Sequence, residues 1–110
     1  NQNWSGPSDA RLKTDIATIT NALDKVQKLR GVSFKWKKDN PNQSRQLGFI
    51  GQEAEKVVPE VIEKDQKGYY TMKDSQLTAL LVEAIKEQQQ EIADLKARIA
   101  KLETKAKAQK

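Results

Sequence analysis

From Asp74 to the C-terminus the sequence contains neither glycine nor proline. So long a stretch without either breaker, starting from a cap at Asp74 or Ser75, predicts one continuous helix. Its apolar residues say what that helix does. With Leu81, Gln88, Leu95 and Leu102 at heptad d positions, Ile85, Ile92, Ile99 and Ala106 fall at a positions, the repeat by which helices of separate chains wind around one another. In a parallel arrangement the same register sets Glu91 against Lys96 of the neighbouring chain and Arg98 against Glu103, both pairs opposite in sign. Each surface pair contributes only about 0.2–1 kcal/mol, so the pairs select direction more than they stabilise. Isoleucine at a with leucine at d favours dimers, while Gln88 interrupts the d series, and periodicity leaves two or three strands open. A helix lying on its own domain accounts for Leu77 to Ile85 but not for the residues beyond Gln88, where no core remains to cover them.

The rest of the chain is short of core material. Of 110 residues, 36% are apolar and 32% charged, so a small domain with a projecting helix buries little by itself and another copy is expected to supply the missing surface. No cysteine or histidine occurs, which removes disulfides, thiolate nucleophiles, imidazole bases and most zinc or iron sites. Catalysis would have to run on Ser, Lys, Asp or Glu, and no metal or cofactor is implied. There is no signal peptide and no apolar run long enough to cross a bilayer, so the segment reads as soluble, without a membrane partner. The formal charge of +5 sits at one end: Lys96, Arg98, Lys101, Lys105, Lys107 and Lys110 are opposed by Glu103 alone after residue 95. Cations there complement the negative end of the helix dipole. A basic zipper would carry its basic region before the heptads rather than after them, which argues against nucleic acid as partner.

Ahead of the helix, residues 1–7 are polar and broken by Gly6-Pro7, and read as a linker or the remnant of an upstream passenger. Ile16, Ile19, Leu23, Val26 and Leu29 recur at three and four, predicting an amphipathic helix from Asp15 to Arg30, capped by Thr14 or Asp15 and stopped by Gly31. Val32, Phe34 and Trp36 alternate with polar residues as on a strand. Asp39 to Ser44 is turn chemistry, and Gln46 to Ile50 returns as the second strand of a hairpin. The three large aromatics Phe34, Trp36 and Phe49 are expected in the core rather than as a base-stacking platform. Gln52 to Val58 suits a short helix stopped by Pro59, and Val61 to Glu63 with Tyr69 to Met72 make a second hairpin across Asp65-Gln66-Lys67-Gly68. The class is α+β: a small globular part over residues 8–75, made of helices and short antiparallel strands, followed by the long helix and basic tail over 76–110. Glu53, Glu55, Glu60 and Glu63 are expected as a solvated edge, and Gly48-x-x-Gly51 as a strand-to-helix turn rather than a phosphate loop.

One further pattern carries chemistry. In Ser8-Asp9-Ala10-Arg11-Leu12-Lys13 a serine lies close to a lysine, and such a pair can act as nucleophile and base without histidine if the amine is neutral. A lysine in water, titrating near 10.4, is neutral about one time in a thousand near pH 7, so burial or a neighbouring cation such as Arg11 is needed. A spacing of five suits neither one helix face nor one face of a straight strand, so the pair requires a bend, or contact between chains.

Four blocks in order, Ser8-Asp9-x-Arg11-Leu12-Lys13, Leu29-Arg30-Gly31-Val32-Ser33-Phe34-x-Trp36, Leu47 through Glu60, and Leu77 through Glu87, resemble the C-terminal intramolecular chaperone domain of phage tailspikes, tail fibres and endosialidases. The resemblance spans Ser8 to about Leu102. It implies a domain fused behind a fibrous passenger, which gathers three chains into a homotrimer, helps them fold, and then cuts itself free in the host bacterial cytoplasm, leaving the mature virion protein. It implies a single-turnover serine endopeptidase with Ser8 and Lys13 as catalytic pair, cleavage of the Pro7-Ser8 bond, and Asp9 and Arg11 as orienting or charge-tuning residues. The trimer seam would then be Leu81, Ile85, Gln88, Ile92, Leu95, Ile99 and Leu102. Three departures are visible: Gly51 where Ala is common, Phe34 where Tyr is common, and Asp15 where Asn is common. The alternative is a non-cleaving trimerisation and attachment domain in which Ser8 and Lys13 are relics.

Overall fold

A computed structural model describes residues 6–37 and 44–109. Residues 1–5 of the expected linker, residues 39–43 of the expected hairpin turn and Lys110 of the basic tail lie outside the described residues. The order of elements is α1 (Ala22–Lys28), β1 (Val32–Phe34), β2 (Gln46–Gly48), α2 (Gly51–Val57), β3 (Ile62–Lys64), β4 (Tyr70–Met72) and α3 (Asp74–Ala108), with 3-10 turns at Ala10–Leu12 and Pro59–Val61. The class is therefore α+β, as the sequence predicts. The radius of gyration is 20.6 Å, against about 13 Å for a compact chain of this size. The excess is α3, whose 35 residues extend about 52 Å at the usual rise.

Both expected hairpins form, each as a separate antiparallel pair. Val32 faces Gly48 and Phe34 faces Gln46 in the first; Ile62 faces Met72 and Lys64 faces Tyr70 in the second. Arg45 fastens the first, donating from Nε to Ser33 Oγ at 2.6 Å and from Nη2 to the Ser33 carbonyl at 2.8 Å. Asp65 closes the second: its Oδ1 accepts from the Lys67 and Tyr69 amides, both at 2.9 Å, while Gly68 takes φ of +87°, which only glycine adopts cheaply. Gly51 is a departure with a local reason. A Cβ there would lie 2.6 Å from Tyr70 Cβ, so the backbone of α2 approaches β4 more closely than an alanine allows. The aromatic expectation fails for Trp36. Phe34 and Phe49 are half-buried, but β1 ends at Phe34, and Trp36 is 65% exposed with its ring set edge-on to Phe34 at 5.0 Å.

The larger correction concerns the first helix. In place of a helix from Asp15 to Arg30, α1 begins at Ala22. Asp15 and Asn21 both sit at φ +55°, a left-handed conformation that aspartate and asparagine tolerate and that interrupts a helix. Between them Ile16, Thr18, Ile19 and Thr20 are β-branched and stiff at χ1, which weakens helix formation. The apolar spacing that suggested a helix is thus split: Ile19 packs on the core from the extended segment, and Ile16 is left 72% exposed.

The start of α1 is completed from elsewhere in the chain. Asn21 makes no capping bond. Glu87 of α3 does so instead, its Oε2 accepting from the Ala22 amide at 3.0 Å and its Oε1 from the Leu23 amide at 2.9 Å. An anion against the first free amides of a helix satisfies both the hydrogen bonds and the dipole. Ala22 is fully buried, so its amide has no water to turn to. Glu87→Ala is expected to cost about 1–3 kcal/mol, read as a lower urea midpoint at unchanged m value.

The core is small: Ala22, Val58, Val61, Leu77, Leu80 and Ala84, with Leu23, Val26, Leu29 and Met72 packed around it. In the heptad register the α3 contributors Leu77, Leu80, Ala84 and Glu87 occupy g and c positions, and the a and d positions are an adjacent face. That second face is uncovered. Leu81 is 39% exposed, Ile85 64% and Leu102 65%, and every described residue of α3 beyond Glu87 is exposed.

Candidate functional site

The Ala10–Leu12 turn supplies the bend that a spacing of five demands. It is held by the Leu12 amide donating to the Asp9 carbonyl at 3.0 Å and the Lys13 amide to the Ala10 carbonyl at 3.1 Å. Either side of it the chain is extended, with ψ of 133° at Asp9 and 150° at Lys13. This tight reversal brings Lys13 Nζ to 3.0 Å from Ser8 Oγ, hydrogen-bond distance for a base and the hydroxyl it would deprotonate. No second chain is needed for that contact.

Asp9 and Arg11 meet on the same turn. Asp9 Oδ1 accepts from the Arg11 amide at 2.9 Å and from its Nε at 3.1 Å, while Oδ2 accepts from Nη2 at 2.8 Å. The carboxylate thus caps the turn and grips the guanidinium at two points. The Arg11 side-chain bonds, then the bond from its amide, hold the Asp9 carboxyl below the ordinary aspartate range, and the pairing pushes Arg11 up. Arg11 is therefore spoken for by Asp9 rather than standing as a free cation beside the amine.

The site lies in the open. Residues 6–18 are all exposed, including Leu12 at 73%. Burial of the amine, one of the two ways of keeping it neutral, is absent from the single chain.

Other groups considered from the sequence are occupied elsewhere. Glu53 is bound by Arg30, 2.7 Å from Oε2, and Glu55 accepts from the Tyr70 hydroxyl at 3.3 Å with Lys64 nearby at 3.9 Å. They support the packing of α2 and do not form an acid/base pair. A hollow of about 490 Å³ on the first hairpin is lined by Gly31, Val32, Ser33, Leu47, Gly48 and Phe49, none of them from the turn. Among the described residues no helix is long and apolar enough to cross a membrane.

Glu87 is the residue that the sequence did not single out. It lies within the fourth block of the resemblance, but nothing local marks it as a cap for a helix sixty-five positions earlier; only Asn21, a preferred N-cap residue, hinted that a helix begins there.

Comparison with known proteins gives a family. A profile described as "Chaperone of endosialidase", carrying a peptidase name, matches residues 8–63, so the match opens at the serine of the turn. The long tail fiber protein Gp37 of Enterobacteria phage M1 is 38% identical over 96 residues, covering 81% of this chain and 38% of that protein. Its counterpart in Enterobacteria phage K3 is 36% identical over 104 residues, covering 89% of this chain and 8% of that protein. The chain thus spans well under half the length of these relatives.

Proposed function

Since the chain belongs to the chaperone-of-endosialidase family, we propose that it is the C-terminal folding helper of a phage tail fibre, which assembles as a trimer, guides the fibrous segment ahead of it, and is released by one self-cleavage before Ser8. The observation that carries the cleavage is the 3.0 Å contact between Lys13 Nζ and Ser8 Oγ across a turn built by their own intervening residues. The observation behind assembly is the apolar stripe Leu81, Ile85, Ile92, Leu95, Ile99 and Leu102, bare along α3.

In the proposed reaction neutral Lys13 takes the Ser8 Oγ proton, and the oxygen attacks the Pro7 carbonyl carbon. The Pro7–Ser8 carbon–nitrogen bond breaks, the proton passes to the Ser8 nitrogen, and an ester joins Pro7 to Oγ. Water then hydrolyses that ester, leaving a carboxylate on Pro7 and a free amine on Ser8. Three parallel helices raise the local concentration of the fibre chains and align them, lowering the entropic barrier to a fold that needs all three. Removing the helper afterwards leaves a fibre that persists by its unfolding barrier.

The exposure of residues 6–18 favours a second reading, the non-cleaving trimerisation and attachment domain, because the turn that carries Ser8 and Lys13 stands open to water in the single chain. Intact mass and light scattering on the chain with its natural upstream segment separate the two. A trimer that loses the segment ahead of Ser8 supports the first reading; an uncut trimer supports the second.

A further inference from the structure

We propose that Gln88 is the register-determining residue of the rod: in the proposed trimer its three copies meet in one layer of the seam, and that layer fixes the height at which the chains are joined. The inference rests on the trimer reading and deepens it by naming the residue that aligns the fibre chains.

The apolar seam is nearly the same after a shift of one heptad. Such a shift sets Ile85 against Ile92, Ile92 against Ile99 and Leu95 against Leu102, so isoleucine still meets isoleucine and leucine still meets leucine. Shifts of other sizes take the apolar residues off the seam. Gln88 breaks the degeneracy. Of the d positions Leu81, Gln88, Leu95 and Leu102, it alone is polar. It directly follows Glu87, whose carboxylate binds the start of α1, and it is exposed in the single chain.

A carboxamide carries both donors and an acceptor, so three of them around a three-fold axis can each donate to the next and close a ring. Shifting one chain by a heptad opens that ring and sets a single Gln88 among leucines of its neighbours, where a buried polar group lacks its partners. The surface charges act in the same sense but more weakly: the shift puts Glu91 against Glu103 at one interface and Arg98 against Lys96 at another. A leucine layer would be more stable, and the polar layer gives up that stability for specificity. One heptad is about 10 Å along the axis. That equals about three residues of extended chain, the offset a slip would impose on the segments ahead of Ser8.

The chain has no cysteine, so disulfides placed in the seam can read the register. Two versions of the chain with its natural upstream segment are co-expressed and oxidised, one carrying Ile99→Cys and the other Ala106→Cys, both at a positions one heptad apart. Aligned chains bring like positions together and hold unlike ones apart by more than the roughly 7 Å that a disulfide bridges. A slipped chain joins the unlike pair. The two substitutions change the mass differently, so intact mass separates like from mixed pairs. With Gln88 in place the mixed pair is expected only as a trace. Gln88→Leu is expected to raise it about tenfold or more, the factor that one unpartnered buried carboxamide is worth, and to raise the urea midpoint while light scattering still reports three chains. Gln88→Leu combined with Leu95→Gln moves the polar layer by one heptad and is expected to restore the like pairs, which a residue acting through local stability alone would not allow.

The proposal is overturned if Gln88→Leu gives like pairs alone, if moving the polar layer does not restore them, or if the mixed pair is already abundant with Gln88 present. Should the unsubstituted chain scatter as a single chain and form no pair, the trimer reading falls and this proposal with it, a result distinct from a trimer whose register ignores Gln88.

Discussion

On the proposed reading, replacing Ser8 by alanine is expected to leave passenger and helper joined in every chain while the assembly forms as before. Among the described residues the hydroxyl hydrogen-bonded to Lys13 Nζ is that of Ser8, at 3.0 Å. Lys13→Met retains the hydroxyl but removes the base, and the rate is expected to fall by about 10²–10⁴, the usual contribution of a positioned general base. Neither change should disturb folding. Residues 6–18 are exposed throughout, and substitutions at such positions are ordinarily within about 0.5 kcal/mol. Intact mass and light scattering on the same samples check both halves. A Ser8→Ala chain that fails to assemble would sink the separation of folding from release.

The second large effect belongs to the seam. In the proposed trimer Ile92→Asp is expected to abolish assembly, because it would place a carboxylate at an a position that each of three chains covers. Losing a buried isoleucine costs about 3 kcal/mol per chain, which over three chains lowers the association constant by about six orders of magnitude. Light scattering should then report a single chain, and the circular dichroism of helix should fall as the part of α3 beyond Glu87 frays. A helix without packing is marginal in water, and every described residue of that part is exposed. Glu91, Lys96, Arg98 and Glu103 form no ion pair within the chain among the described residues, which would leave them available across the proposed interface. Charge reversal at Glu91 should therefore weaken assembly slightly, within about 1 kcal/mol, where Ile92→Asp destroys it.

How far the sequence carried depends on the range of each interaction. The long helix was legible because it needs only the absence of Gly and Pro and a steady repeat. The two hairpins were legible from alternation and from Asp65 and Gly68, whose turn is built within five residues. The spacing of Ser8 and Lys13 calls for either a bend or a contact between chains, and it carries neither the choice between them nor the cause of the bend. Asp9 and Arg11 are two positions apart, and whether they grip each other or point to solvent is a matter of rotamer that no spacing encodes. The first helix was misjudged for a different reason. Ile16 and Ile19 continue the periodicity of Leu23, Val26 and Leu29, but the amides that open α1 are satisfied by Glu87 from the far side of the sequence. Trp36 was placed inside by its alternation with Phe34, and the strand simply stops before reaching it.

The two adjacent faces of α3 have a mechanical consequence. When straight helices of 3.6 residues per turn wind into a coil with a 3.5-residue repeat, each heptad is twisted by about 20° relative to an unwound helix. The globular part grips α3 between Leu77 and Glu87, about one and a half heptads, so its share of that torsion is small. The remaining three heptads, in which every described residue is exposed, would take up most of it. In the proposed trimer the C-terminal part of α3 would therefore wind with little twist passed on to the globular part.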